Sequence, residues 1–251
     1  GDKPVEIWRI RADGRGMTYD YERKILVDVG DGASLEAAIS LPPTSCTTLA
    51  VVCHAWGKLG GCMDDPVVQI LSRELAADGL GVCRFNFRGV GASSGIGGFT
   101  GATDKKDLLE LCKWLLRAPD VGGEKLNVTQ IIMVGYSYGS LIAGSVVDEG
   151  EDIVAVAAVS YPYSVTWALA LWNGAAMWEA LRASSKPKLF CFGTHDNFTS
   201  DSECQKAFSK LETPKEQVRI EGADHFYGGS FNGGSRKKLA AAVVNWARAF
   251  K

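Results

Sequence analysis

The chain has 251 residues, 46% of them hydrophobic, and a formal net charge of −2. That length is ordinary for one α/β domain with a substantial core, so residues 1–251 are read as a single domain. The near-neutral balance gives no electrostatic case for nucleic acid or an acidic membrane surface, and no apolar run approaches the roughly 20 residues that cross a bilayer.

No signal-peptide pattern opens the sequence. The seven cysteines (Cys46, Cys53, Cys62, Cys83, Cys112, Cys191 and Cys204) are scattered, odd in number and mostly within apolar runs. They form neither a C-x-x-C nor a Cys/His cluster. Buried thiols in a reducing compartment are expected, with no disulfide framework or zinc site, which points to a cytoplasmic protein.

In chain order, residues 1–20 are polar and read as a lead-in or an edge hairpin. Residues 23–30 and 35–41, split by Asp31-Gly32, read as two antiparallel strands joined by a tight turn. Residues 49–54 form a continuous apolar strand ending on His54, followed by a Gly-rich loop. Residues 66–78 have helical periodicity, with Pro66 in the first turn and Gly79 just past the end. The next strand, 81–87, runs into a glycine-rich loop, 88–95. Residues 104–117 read as an amphipathic helix with Leu108, Leu111, Cys112 and Leu115 on its apolar face and Asp104 and Asp107 at its positive end. Strands at 130–134, 153–160, 188–193 and 217–221 follow, with helices near 203–211 and 239–250. Alternation of strand and helix from Leu49 onward predicts a mostly parallel sheet covered on both faces.

The stretch T-Q-I-I-M-V-G-Y-S-Y-G-S-L-I-A-G-S-V-V, residues 129–147, carries the chemistry. A buried strand stops at Gly135-Tyr136-Ser137-Tyr138-Gly139, a complete G-x-S-x-G, and small apolar residues then allow a tightly packed helix. Strand, sharp turn and helix are the setting of a nucleophile elbow, with Ser137 presented at a helix start where backbone N–H groups favour negative charge. A chance glycine-serine turn is the competing reading. Tyr136 and Tyr138 either line an entrance or simply pack.

A serine nucleophile needs a base, and the chain has three histidines: His54, His195 and His225. All lie just past predicted strands, where side chains gather in parallel sheets. Chain order Ser, Asp/Glu, His is met only by Ser137, Asp196 and His225, with Asp201 as the rival acid. Asp224 points the wrong way to orient its neighbour's ring. The expected roles are nucleophile for Ser137, general base for His225, and tautomer-fixing acid for Asp196. The oxyanion donors are expected to be the Tyr138 N–H and the Trp56 N–H, with Ala55 as the alternative to Trp56. The 88–95 loop lacks the Lys-Ser/Thr ending of a phosphate loop, so it is read as a structural turn in which Arg88 and Asn86 bond nearby backbone.

With V-C-H-A-W-G-K-L-G-G-C-M-D-D-P-V-V (52–68), R-F-N-F-R-G-V-G-A-S-S-G (84–95), G-Y-S-Y-G-S (135–140), G-T-H-D-N-F-T (193–199) and G-A-D-H-F-Y (222–227) in view, the chain resembles the α/β-hydrolase superfamily. It is most similar to small, essentially cap-less serine hydrolases of the dienelactone-hydrolase-like or esterase-like kind. The resemblance runs from about Leu49 to the end and implies the fold and the triad at Ser137, Asp196 and His225. Ala55 departs from the glycine or proline that many relatives carry there. True dienelactone hydrolases use a cysteine nucleophile, so that activity is not expected.

Residues 161–185, rich in tryptophan and tyrosine, are read as a short lid of one or two helices over the pocket, or else as ordinary core helix. The expected function is a serine hydrolase acting on a small-molecule carboxylic ester or thioester, with peptidase activity as a neighbour. A non-catalytic interaction or ligand-sensing module on the same fold is the alternative from another class. No cofactor or metal is expected, and no nucleic-acid or membrane-inserted partner.

Overall fold

The structure, a computed structural model, describes residues 6–8, 22–42, 46–123, 125–228 and 233–251. Among the described residues it is built on one sheet of nine strands in the order β1-β2-β3-β5-β4-β6-β7-β8-β9. The N-terminal strands β1 (Glu6–Trp8), β2 (Glu22–Asp28) and β3 (Ser34–Ser40) run antiparallel to their neighbours. From β5 (Gly81–Phe85) through β4 (Thr48–Cys53), β6 (Gln130–Tyr136), β7 (Ile153–Val159), β8 (Lys188–Gly193) and β9 (Lys215–Ile220), every pairing is parallel. The β2–β3 hairpin turns where Asp31 and Gly32 take φ of 55° and 71°. Most of residues 1–20 lie outside the described residues, apart from β1, which pairs with β2 as an edge strand.

The parallel strands read as continuous apolar runs because both of their faces are covered. Alternate residues of β4 go to opposite cores: Leu49, Val51 and Cys53 to one, Ala50 and Val52 to the other. The second of these cores receives Leu71 and Leu75 from α1 (Pro66–Ala77) and Val243 from α7 (Gly233–Ala247). The first receives Leu108 and Leu111 from α2 (Ala102–Leu116), Leu141 and Ile142 from α3 (Tyr138–Ser145), and Leu181 from α5 (Gly174–Ala183). It also takes Cys204 and Ala207 from α6 (Asp201–Lys210). Full burial of each such leucine contributes about 1.5–3 kcal/mol, so the two cores outweigh any single surface contact.

Helix α1 starts as its sequence dictates: Asp65 accepts the Val67 N–H at 2.7 Å and Pro66 fills the first position, where its missing N–H costs nothing. The result that matters for chemistry is directional. The carboxyl ends of β4, β5, β6, β8 and β9 open on one edge, and their loops meet there.

Residues 161–185 contain two short helices, α4 (Thr166–Leu169) and α5, with one 3-10 turn before α4 and another between the two. Helix α5 packs beside α3: a Cβ added to Gly144 would stand 3.1 Å from Leu181, and one added to Gly101 would stand 2.8 Å from Met177.

Candidate active site

Ser137 sits where β6 breaks into α3, with φ 54° and ψ −122°, a region that side chains rarely occupy. The flanking glycines are sterically required. A Cβ on Gly135 would stand 2.3 Å from the Ser140 Cα, and one on Gly139 would stand 2.3 Å from the Cys53 carbonyl oxygen. Close passage of β6, β4 and α3 therefore forces the strain onto Ser137 and lifts its side chain out of the sheet. Ser140 Oγ donates to the Ser137 carbonyl at 2.6 Å and closes the turn.

Two further strand ends supply its partners. His225 Nε2 lies 2.8 Å from Ser137 Oγ, and His225 Nδ1 lies 2.7 Å from Asp196 Oδ2. The other oxygen of Asp196 accepts the Phe198 and Thr199 N–H groups at 2.8 and 3.1 Å. A carboxylate held this way accepts only, so Nδ1 carries the imidazole proton and Nε2 is free to accept from the serine hydroxyl. All three side chains are buried, and Phe198 and Phe226 flank the ring with centroids 4.5 and 5.4 Å from that of His225.

The remaining sequence candidates separate cleanly. Asp201 lies at the start of α6, pairs with Arg219 at 2.7 Å and accepts from Gln205 at 2.8 Å. Asp224 caps its own turn, accepting the Phe226 and Gly228 N–H groups at 3.1 and 3.0 Å. His195 is exposed. His54 is wholly buried between the Ala55 carbonyl at Nδ1 and the Phe87 N–H at Nε2, and burial lowers its pKa to about 4. It therefore stays neutral and holds the β4 and β5 loops together.

Tyr138 opens α3, so its N–H has no acceptor within the helix. Trp56 follows β4 and turns the chain, its carbonyl accepting the Leu59 and Gly61 N–H groups at 3.0 and 3.1 Å. Both residues line one cavity of about 190 Å³, alongside Phe87, Val90 and Asp104. Ala55 uses its carbonyl for His54, and Gly61 packs against it.

One expectation changes, that for Arg88, and two readings left open are narrowed. Tyr136 and Tyr138 are 1% exposed, so neither frames an outer entrance. The Tyr136 hydroxyl donates to the His225 carbonyl, and the Tyr138 hydroxyl donates to Asp104 Oδ2. Arg88 does not bond backbone: it forks onto Asp107 of α2 at 2.6 and 2.8 Å, because that buried carboxylate needs a cation. Asn86 behaves as expected in part, accepting the Met63 N–H at 2.7 Å while donating to the Glu36 carboxylate. No residue of 161–185 lines the cavity, and Trp167 and Trp172 are exposed. Sequence reasoning missed Asp104 and Asp107 as buried partners. The signal was available, since both fall on the stripe of Leu108, Leu111 and Leu115 at helical spacing.

An alpha/beta hydrolase domain family matches residues 48–250. An alpha-beta serine hydrolase homologue from Coxiella burnetii superposes with TM-score 0.72 at 25% identity, covering 92% of this chain and 99% of its own. A lid-less a/b serine hydrolase from Xanthomonas campestris gives TM-score 0.72 at 22% identity, covering 91% and 94%. An uncharacterized protein of Rickettsia prowazekii is 25% identical over 184 residues, 71% of each chain. The chain belongs to the α/β-hydrolase family.

Proposed function

We propose that this protein is a serine hydrolase that cleaves small carboxylic esters or thioesters through an acyl-enzyme. The observation that carries this reading is the unbroken hydrogen-bond path from Ser137 Oγ through His225 to Asp196, at 2.8 and 2.7 Å. Ser137 attacks the carbonyl while His225 Nε2 takes its proton. Asp196 stabilises the imidazolium that forms. The Tyr138 and Trp56 N–H groups receive the developing oxyanion. His225 then protonates the departing alcohol or thiol, and a water deprotonated by His225 releases the acid.

The reading is supported by the near-complete burial of the triad, which strengthens each of these interactions relative to water. It is tested by rapid mixing with a p-nitrophenyl ester. The expected result is a burst of about one nitrophenolate per protein, and its amplitude vanishes in Ser137→Ala. Linear release that is equal in both proteins contradicts an acyl-serine.

A further inference from the structure

Tyr138 is held from both ends. Its backbone opens α3 directly after Ser137, which is why its N–H serves as an oxyanion donor in the reading proposed above. Its side chain runs to α2, where the hydroxyl donates to Asp104 Oδ2. Both residues are buried, at 1% and 4% exposure. Among the described residues no other donor reaches the Asp104 carboxyl, and its Oδ1 is without a partner. Arg88 forks onto Asp107 instead, and Lys58 stands over the Phe99 ring. Burial raises the Asp104 carboxyl to about 6. A buried acid with a single donor adds little net stability, and an apolar pair of the same shape would pack at least as well. What the bond supplies is direction.

The N–H and the Cβ of a residue hang on bonded backbone atoms, and φ is confined at a helix start, so fixing the side chain restrains the peptide. The Tyr138 ring packs against Phe87, with centroids 5.8 Å apart, and against Trp56, the other expected donor, at 6.3 Å. Helix α2 is a firm anchor for the far end. Its start presses on α3, where a Cβ added to Gly101 would stand 3.0 Å from Ile142 Cδ1. One turn beyond Asp104, Asp107 takes the Arg88 fork and ties α2 to the loop after β5.

We propose that Asp104 is a positioning residue of the oxyanion site: through the Tyr138 hydroxyl it holds the Tyr138 N–H where the oxyanion forms when Ser137 attacks a carbonyl. The inference rests on the serine-hydrolase reading of Ser137. Asp104 acts through that bond and needs no contact with the substrate.

Tyr138→Phe/Asp104→Leu separates positioning from packing, because it removes both polar partners and leaves an apolar pair of similar shape. Its stability to urea is expected to match or exceed that of the native protein. At pH 8, its kcat/KM for p-nitrophenyl hexanoate is expected to fall by about tenfold or more, since a loosened donor still costs part of what a lost one does. Trifluoromethyl pentyl ketone reads the oxyanion directly: Ser137 Oγ adds to its carbonyl carbon, the proton goes to His225, and the charge stays on oxygen. Its binding is expected to weaken by the same factor, while hexanamide binds within about twofold of native. Asp104→Asn keeps an acceptor for the hydroxyl and should stay within about threefold of native on all three measures. Tyr138→Phe alone, a change of one oxygen atom, should reproduce the loss and stands in if the double variant does not fold. Native kcat/KM and native ketone affinity in Tyr138→Phe overturn the proposal. So does a loss of hexanamide affinity as large as that of the ketone, or an Asp104→Asn as impaired as Tyr138→Phe. In each of these cases native turnover remains, and the serine chemistry stands. A native protein that neither cleaves the ester nor binds the ketone overturns the serine reading, and the positioning role with it.

Discussion

The hydroxyl of Tyr136, the residue before Ser137, donates to the carbonyl oxygen of His225 at 3.1 Å. The strand end that presents the candidate nucleophile thereby also holds the backbone of the candidate base. Tyr136→Phe removes that donor from a buried carbonyl and should lower stability by about 1–3 kcal/mol. Because the His225 loop then relaxes, kcat should fall more than KM changes. Denaturant unfolding together with steady-state kinetics checks both parts, and an unchanged kcat would remove Tyr136 from the positioning of His225.

The two acids give a direct contrast. Asp196→Asn should cost about 10³–10⁴ in kcat, since the amide favours the wrong imidazole tautomer. Asp201→Asn weakens an exposed pair with Arg219 and a bond from Gln205, both remote from Ser137, and should stay within about threefold of native activity, with at most about 1 kcal/mol of stability lost. Comparable losses in the two variants would contradict the assignment of Asp196.

Acid should destabilise the fold through His54. Its folded pKa of about 4 lies below the ordinary 6.5, so its contribution is complete above pH 6.5 and is lost as the pH falls toward 4. The gap corresponds to about 3 kcal/mol. Asp104 works in the opposite sense: raised to about 6 from 3.8, its contribution is present below pH 3.8 and is lost as the pH rises through 6. Urea unfolding of Asp104→Asn at pH 7.5 and 5.5, above the range where the ion-paired carboxylates such as Asp78 and Asp201 titrate, follows the histidine, and equal stability at the two values would contradict its burial as the neutral ring.

Gly135→Ala should be among the most damaging single changes. The added methyl meets backbone on three sides, at 2.3, 2.4 and 2.6 Å, so α3 must shift away from β6. A loss of at least about 3 kcal/mol is expected, the upper end of overpacking costs. A Tm within a degree of native would show that the elbow can yield.

Much of this is legible in the amino-acid sequence. Strands β4 through β8 announce themselves as unbroken apolar runs because helices cover both faces of the sheet, and their chain order separates the three histidines. The elbow is legible because its glycines answer to local backbone crowding. What could not be read depends on meetings between distant segments. Asp104 and Asp107 look like ordinary residues for the positive end of a helix, yet Tyr138 and Arg88, remote in the chain, bury them. The aromatic content of residues 161–185 does not say which way those rings face; α5 spends its apolar face on α3, and Trp167 and Trp172 are left to solvent.

The central claim is that Ser137 is a nucleophile activated by His225. It is tested most directly by treating the native protein, Ser137→Ala and His225→Ala with a fluorophosphonate and locating the adduct by peptide mass spectrometry. One adduct per native chain, confined to the peptide holding Ser137, absent in Ser137→Ala and at least about a hundredfold slower in His225→Ala, is the predicted result. An unlabelled native protein, or an adduct that survives in Ser137→Ala, would contradict it.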